Sequence, residues 1–253
     1  KAGRKVLVLE RRAVLGGAAV TEEIHPGFKY SVCSYVVSLF RPDIIRDLEL
    51  TRFGFEILPL EYAFSPLPDG RSLLRYSDGS RTRREIAGFS ARDADLYPEF
   101  GRLMGEMSRL VKDIIDTKAP DPTSLQPADW LELGKMFWSL KQLPPKQLST
   151  FVKLLTMSAA DFLDEWFESE VLKAPMSVSG IIGTFLGVRS PGTAYVMLHH
   201  YMGEIDGAFR AWGFAKGGMG QISNACAAAA KHWGAQIQTS KGVEKILLRG
   251  STA

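Results

Sequence analysis

The sequence has 253 residues, which is enough for one large domain or two domains of ordinary size. With 45% hydrophobic residues, 23% charged residues and a formal net charge of +3, it has the composition of a globular protein and lacks the dense basic block of a nucleic-acid-binding protein. Its two cysteines, Cys33 and Cys226, form no C-x-x-C pair, which excludes a disulfide scaffold and predicts two buried free thiols in a reducing compartment, the cytoplasm or the mitochondrial matrix of a eukaryote.

The start of the chain has the pattern of a nucleotide-binding strand. Residues 6–9, VLVL, predict a short strand buried on both faces of a parallel sheet. Glu10 follows at the carboxyl end of this strand, where doubly wound sheets bind their ligands and where a carboxylate accepts hydrogen bonds from ribose hydroxyls. Gly16 and Gly17 come next and let the backbone approach a ligand closely, with amide donors for phosphate.

The glycine-rich fingerprint of a dinucleotide site is not in front of Glu10. That fingerprint precedes a ribose-binding acid by roughly 20 residues, a distance that reaches beyond the start of this sequence. We therefore expect the first strand, the glycine loop and most of the first helix to lie upstream. We also expect the sequence to be an internal fragment, cut again after a strand predicted at residues 243–248.

Near residue 60 the predicted secondary structure changes to antiparallel strands followed by helices. A strand is predicted at residues 55–60, and an antiparallel meander follows at 62–66, 71–76 and 80–84, with Asp-Gly pairs in its turns. Ser90 is a suitable cap for a long helix at 91–115. Further helices are predicted at 128–140, 146–157, 159–169 and 193–203.

The last part returns to alternating strands and helices. A strand at 209–215 leads through the glycines of 217–220 into a helix at 221–233, and a strand at 235–238 follows. This pattern is typical of a nucleotide-binding domain. We therefore predict an α/β protein in which residues 1–60 and 216–253 belong to one discontinuous domain, and residues 61–215 form an inserted substrate domain of antiparallel sheet plus helices.

Two stretches resemble a known flavoprotein family. Residues 10–17, ERRAVLGG, resemble the second FAD motif of the FAD-dependent amine oxidase and phytoene desaturase superfamily, and residues 217–246 are similar to its return segment. Residues 22–28 and 199–204 look most like the phytoene dehydrogenase-related branch. The resemblance covers nearly the whole chain. It implies a Rossmann-like FAD/NAD(P)-binding domain, incomplete and discontinuous here, with an inserted α+β substrate domain.

The same resemblance implies a role for individual residues around FAD. Glu10 would bind the adenosine ribose, and Arg12 would border the adenosine and the pyrophosphate. Gly16 and Gly17 would run along the pyrophosphate and the ribityl chain.

Two further cofactor residues follow from the resemblance. Val243 would offer its backbone N–H and C=O to the adenine edge. Ala18 stands where many members of the family carry arginine, so the phosphate contact at this position would fall to backbone amides. The sequence contains no convincing acid–base pair, nucleophile or metal cluster, so we name no catalytic residue and no metal ligand.

The function that the resemblance implies is hydride transfer from an apolar or amphipathic small molecule to flavin, with reoxidation by an acceptor. One alternative is a non-enzymatic lipid-binding protein on the same fold, like the Rab GDP-dissociation inhibitors. A second alternative is an NAD-dependent dehydrogenase. Glu10 and the Gly-Gly pair after it favour the FAD enzyme over both.

Three other patterns have two interpretations each. The glycines of 217–220 suggest either a phosphate loop or a tight turn between strand and helix, and their spacing favours the turn. His199 and His200, with Glu204, suggest metal ligands or packing, and the missing partner cluster favours packing. The aromatic, lysine-bearing stretch 130–153 suggests peripheral contact with a membrane, but a substrate-domain core of Phe137, Trp138, Leu140 and Phe151 is favoured.

Overall fold

A computed structural model of the chain describes residues 2–115, 119–121, 123–124, 126–141, 143–205, 208–209, 211–248 and 250, with backbone alone for 136, 139, 208 and 209. In chain order the strands are β1 (Leu7–Leu9), β2 (Thr21–His25), β3 (Phe28–Ser31), β4 (Ile57–Pro59), β5 (Tyr62–Pro66), β6 (Ser72–Tyr76), β7 (Glu204–Ile205), β8 (Ala208–Phe209), β9 (Gly213–Ala215) and β10 (Gln236–Gln238). The helices are α1 (Pro42–Asp47), α2 (Gly79–Ala87), α3 (Ala91–Ile115), α4 (Pro127–Lys141), α5 (Pro145–Thr156), α6 (Ala159–Asp164), α7 (Glu170–Ser177), α8 (Thr193–His200) and α9 (Gly220–His232).

The structure mixes helices and strands and divides into two compact units. The first unit contains the residues up to 60 together with those from 204 onward, and the second contains residues 61–203. The sequence predicted the return to the first unit at residue 216. In the structure the return comes earlier because β7, β8 and β9 precede α9 in the same unit.

In the first unit, β1 pairs in parallel with β10 although the two strands lie at opposite ends of the sequence. Leu7 is opposite Gln236 and Leu9 is opposite Gln238, so segments from the two ends of the sequence lie in one sheet. The prediction that β1 is buried on both faces is wrong, because Val6 to Leu9 keep 40–53% of their surface exposed. Among the described residues this sheet has two strands, and a sheet so small has too little packing to cover its faces.

The rest of the first unit surrounds a small core. β2 and β3 form an antiparallel hairpin, and β4 pairs antiparallel with β9. The buried side chains are Val37, Leu50, Phe55, Ala215, Met219, Ala225 and Ala229. The strand predicted at 243–248 is wrong, since these residues pair with no described strand and their apolar side chains are 60–70% exposed.

The second unit is mainly helical, as predicted, and α3 has the predicted bounds. Its core gathers around Phe100, which lies 5.1 Å from Phe167 between ring centroids. The helix predicted at 159–169 ends as α6 at Asp164. It ends there because the following backbone N–H groups of Glu168 and Ser169 donate to the buried carboxylate of Asp93, both at 2.9 Å.

The predicted meander is correct in its first hairpin and wrong in its third strand. β5 and β6 pair antiparallel from Tyr62 opposite Tyr76 to Pro66 opposite Ser72. Residues 80–84, predicted as a strand, belong to helix α2. The reason is Asp78, whose Oδ1 accepts the N–H groups of Ser80 and Arg81 at 2.8 and 3.3 Å and so caps a helix instead of closing a hairpin. Within the described ranges, no helix is both long and apolar enough to span a bilayer.

Candidate functional site

Glu10 lies at the carboxyl end of the parallel β1–β10 pair. Its backbone N–H donates to Gln238 O at 2.9 Å, and its own C=O accepts the N–H of Lys241 at 2.8 Å. The carboxylate Oε1 accepts the backbone N–H of Arg12 at 2.7 Å. In the part of the chain that the structure describes, Oε2 makes no hydrogen bond, so one oxygen of a backbone-held carboxylate remains able to accept a ligand hydroxyl.

The guanidinium of Arg12 is held by an acid that sequence reasoning did not single out. Arg12 Nη2 lies 2.5 Å from Glu22 Oε1 on β2, with both side chains partly exposed. The backbone C=O of Arg12 also accepts the N–H of Ser240 at 2.9 Å. The ion pair therefore fastens the loop after β1 to the β2–β3 hairpin and orients the remaining donors of the guanidinium.

Gly16 is a packing residue. Its φ of +126° is a conformation that side chains rarely adopt, and a Cβ built on it would lie 2.3 Å from both Ala19 O and Ser223 Oγ. Ser223 Oγ itself donates to Ala19 O at 2.9 Å, and Ala19 N–H donates to Gly16 O at 2.8 Å. The loop therefore lies directly against α9 because position 16 has no side chain.

Gly17 differs from its neighbour. It has a φ of +57°, and a Cβ built on it would meet nothing within 4 Å. The next residue, Ala18, is exposed, and its C=O accepts the N–H of Ser34 at 3.0 Å. The exposed side of the Gly-Gly pair is thus the side of Gly17 and Ala18, where backbone and a methyl group face open space.

The backbone N–H groups at the start of α9 are hydrogen-bonded to side chains of the β2–β3 hairpin. Thr21 Oγ1 accepts the N–H of Gly220 at 2.9 Å, and Ser31 Oγ accepts the N–H of Met219 at 3.1 Å. A Cβ on Gly218 would lie 2.3 Å from Thr21 Oγ1, so this glycine permits close contact with β2. The prediction of a tight strand-to-helix turn is confirmed, and its donors are used within the unit.

Val243 follows two residues that contact the loop after β1. The backbone N–H of Lys241 donates to the C=O of Glu10, and a Cβ on Gly242 would lie 3.6 Å from Arg11 Cγ. Val243 itself is 60% exposed and belongs to no strand. The structure thus brings Glu10 and Arg12 against residues 240–242 at one edge of the unit, and places Gly16 against α9.

The histidines and cysteines do not form a second polar site. Burial, and secondarily the charge of His200, lower the pKa of His199 below its usual range. Burial raises the pKa of the Cys226 thiol, whereas Cys33 is exposed, so the prediction of two buried thiols is wrong for Cys33. The described residues contain no group of three or more His, Cys, Asp or Glu arranged to hold a metal ion.

Comparison with known proteins gives relatives along nearly the whole chain. The sequence is 39% identical over 258 aligned positions, 96% of its length, to pyridine nucleotide-disulfide oxidoreductase domain-containing protein 2 of Rattus norvegicus, and equally so to that of Mus musculus. The chain spans 44% of the length of these relatives. It is also 30% identical over 152 positions, 58% of its length and 28% of the relative, to a component of the limonene dehydrogenase of Castellaniella defragrans. No family model matches the sequence.

Proposed function

From this similarity and from the geometry around Glu10, we propose that the chain is part of an FAD-dependent oxidoreductase of the phytoene dehydrogenase-related branch. The rodent relatives are named for an oxidoreductase domain, and the bacterial relative is named as part of a dehydrogenase. Both names support a redox function. The observation that carries the proposal is the backbone-held carboxylate of Glu10 at the carboxyl end of a parallel strand pair, followed by a glycine loop with an open side.

The residues present fit the adenosine half of FAD. Glu10 has an oxygen available to accept from ribose hydroxyls, and a charged acceptor makes stronger hydrogen bonds than a neutral one. Gly17 leaves room for close approach of a phosphate to the backbone. Arg12, fixed by Glu22, supplies positive charge next to this region. The first donors of α9 are engaged, so the phosphate contact is assigned to the Gly17 side.

In this proposal the two units have separate tasks. The first unit binds the nucleotide through Glu10, Arg12, Gly17, Ala18 and Val243, and Gly16 allows the glycine loop to lie against α9. The second unit binds an apolar or amphipathic small molecule. When bound, FAD supplies the acceptor for a hydride from a C–H or C–N bond, and the protein orients the substrate and excludes water from it.

The proposal is tested by measuring the dissociation constant of FAD for the protein expressed from its complete coding sequence. In Glu10→Ala, hydrogen bonds from the ribose to a charged acceptor are lost, each worth about 1.5–3 kcal/mol. Loss of one such bond corresponds to a roughly tenfold or larger rise in the dissociation constant. Quenching of flavin fluorescence on titration of the apoprotein measures this change.

A matched control comes from the same unit. Glu56 is an exposed acid whose Oε2 lies 2.8 Å from Lys216 Nζ, away from the glycine loop in sequence. Glu56→Ala is expected to leave FAD affinity unchanged. Equal affinities of wild-type protein and a folded Glu10→Ala variant would refute the role of Glu10. A protein that takes up no flavin at all would instead favour the non-enzymatic lipid-binding alternative.

A further inference from the structure

Helix α4 and the β5–β6 hairpin of the second unit both expose aromatic side chains. On α4, Phe137 and Trp138 are 67% and 61% exposed, so the prediction that they belong to a core is wrong. On the hairpin, Tyr62 and Phe64 are 53% and 59% exposed and line a cavity of about 570 Å³, which we call the hairpin cavity. Small-molecule sites usually have volumes of about 300–1,000 Å³. The described residues that line the hairpin cavity are Glu61, Tyr62, Phe64, Leu74, Tyr76 and Arg81.

The two faces of the β5–β6 hairpin have different surroundings. Tyr62 lies opposite Tyr76, and Phe64 lies opposite Leu74, so these four side chains share one face of the hairpin. The rings of Tyr62 and Tyr76 lie 6.0 Å apart between centroids. Leu73 belongs to the other face and is fully buried in the core of the second unit. The hairpin is therefore anchored by its inner face, and its outer, mostly aromatic face lines the cavity.

A guanidinium is held in place at the hairpin cavity. The guanidinium carbon of Arg81, on α2, lies 3.8 Å from the centroid of the Tyr76 ring, which is a cation–π contact. The hydroxyl of the buried Thr82 accepts the N–H of Tyr76 at 2.8 Å and donates to its C=O at 3.0 Å, so α2 and β6 are fixed to each other beside this contact. Within the described part of the chain, the guanidinium of Arg81 has no acidic partner. Its N–H donors therefore remain able to bind a ligand.

We propose that the hairpin cavity binds an apolar small molecule that carries one carboxylate. The apolar body of the molecule lies against the aromatic side chains, and its carboxylate binds Arg81. A guanidinium offers two parallel N–H donors to a carboxylate, and stacking on an aromatic ring fixes the plane of these donors before the ligand arrives. The proposal deepens the proposed function and rests on it for the role of this ligand, which is then the substrate.

The charges that line the cavity favour a carboxylate over a phosphate. Glu61 lines the same cavity as Arg81, so the site contains one acid and one base. A dianionic phosphate would be repelled by Glu61 more strongly than a singly charged carboxylate, and it would have only one cation to bind. The repulsion from Glu61 also disfavours every orientation that places the carboxylate away from Arg81. The two charged residues together therefore set both the charge and the orientation of the ligand.

The experiment compares two probes with the same apolar body, cinnamate and its neutral analogue cinnamyl alcohol. Isothermal titration calorimetry measures the dissociation constant of each probe for the protein expressed from its complete coding sequence. The wild-type protein is expected to bind cinnamate roughly tenfold more tightly than the alcohol, because hydrogen bonds between charged groups are added. Arg81→Gln is expected to abolish this preference and to leave the affinity for the alcohol unchanged. Phe64→Ser is expected to weaken the binding of both probes, and Glu61→Gln to strengthen that of cinnamate.

The matched control is Arg84→Gln, which removes an exposed arginine from the same helix but away from the residues that line the cavity. It is expected to keep the wild-type preference for cinnamate. Equal affinities of the wild-type protein for the two probes, or equal losses in Arg81→Gln and Arg84→Gln, would overturn the proposal. So would a wild-type protein that binds neither probe, because another part of the protein or a second copy would then cover the aromatic face of the hairpin.

Titration with FAD separates this proposal from the proposed function. Arg81→Gln is expected to bind FAD like the wild type, since the second unit has no part in the proposed nucleotide site. A wild-type protein that binds FAD and does not distinguish the probes would overturn only the carboxylate site. A protein that binds cinnamate through Arg81 and takes up no flavin would support the carboxylate site and refute the proposed function.

Discussion

The two adjacent glycines of the candidate site are expected to respond differently to the same substitution. Gly16→Ala places a methyl group 2.3 Å from Ala19 O and from Ser223 Oγ, in a backbone conformation with φ of +126°. Gly17→Ala places the same group in open space, with φ of +57°. The pair therefore separates a glycine required for packing from a glycine required for ligand approach.

The magnitudes follow from these geometries. A non-glycine residue in the left-handed region costs about 1–2 kcal/mol, which is the whole penalty expected for Gly17→Ala. At position 16 the strain of a sparsely populated conformation costs about 1–3 kcal/mol. Overpacking against Ala19 and Ser223 adds about 1–3 kcal/mol. We therefore expect Gly16→Ala to destabilise the protein by about 2–6 kcal/mol, more than Gly17→Ala.

Urea unfolding followed by circular dichroism measures both free energies of unfolding, and FAD titration of the folded variants measures ligand affinity. Ser223→Ala removes the Oγ that lies 2.3 Å from the added methyl group and leaves the contacts with Ala19 O at 2.3 Å and with the Cβ of residue 223 at 2.8 Å. The double variant with Gly16→Ala should therefore be somewhat more stable than additivity predicts. Gly17→Ala should stay folded and lose FAD affinity. Equal stabilities of the two glycine variants would refute the assignment of their roles.

Two further predictions concern the second unit. Asp93→Ala leaves the N–H groups of Glu168 and Ser169 without their acceptor. The free energy of unfolding should therefore fall by about 2–4 kcal/mol, and by less for Asp93→Asn. Unchanged midpoints of urea unfolding would contradict this prediction. Burial lowers the pKa of His199 in the folded protein, so the unfolded chain takes up a proton first and stability should fall as pH drops below about 6.5. His199→Gln should flatten that dependence in urea titrations at several pH values, and an unaltered profile would show that His199 contributes nothing to it.

Local patterns predicted the elements whose signals are contained in their own residues. The apolar repeat of α3 and its cap at Ser90, whose Oγ accepts the N–H of Asp93 at 3.1 Å, needed no distant partner. The β5–β6 hairpin was likewise defined by its own turn. The strand predicted after Asp78-Gly79 was wrong because an Asp-Gly pair is compatible both with a hairpin turn and with the start of a helix. Here the Asp78 side chain caps the helix, and Thr82 adds to this cap because its hydroxyl bonds both the N–H and the C=O of Tyr76 from within the helix.

The contacts that build the candidate site could not be read from spacing. Glu22 lies ten residues after Arg12 on a different element, and nothing near either residue marks them as an ion pair. Ser223 explains Gly16 only after α9 is placed against the loop. The exposure of Phe137 and Trp138 was also unpredictable from the pattern. Apolar residues at helical spacing look the same whether they face a core or lie on a surface.

The engaged start of α9 narrows where a phosphate can bind in the first unit. A helix N-terminus ordinarily attracts anions through its unpaired N–H groups. In this helix Thr21 and Ser31 already accept from Gly220 and Met219, and a phosphate would have to displace two internal hydrogen bonds to replace them. Gly17 imposes no such cost, because its neighbourhood is open and its backbone needs no side chain there. The proposed phosphate contact therefore belongs to the loop that follows Glu10, and the glycines before α9 serve to seat that helix against β2.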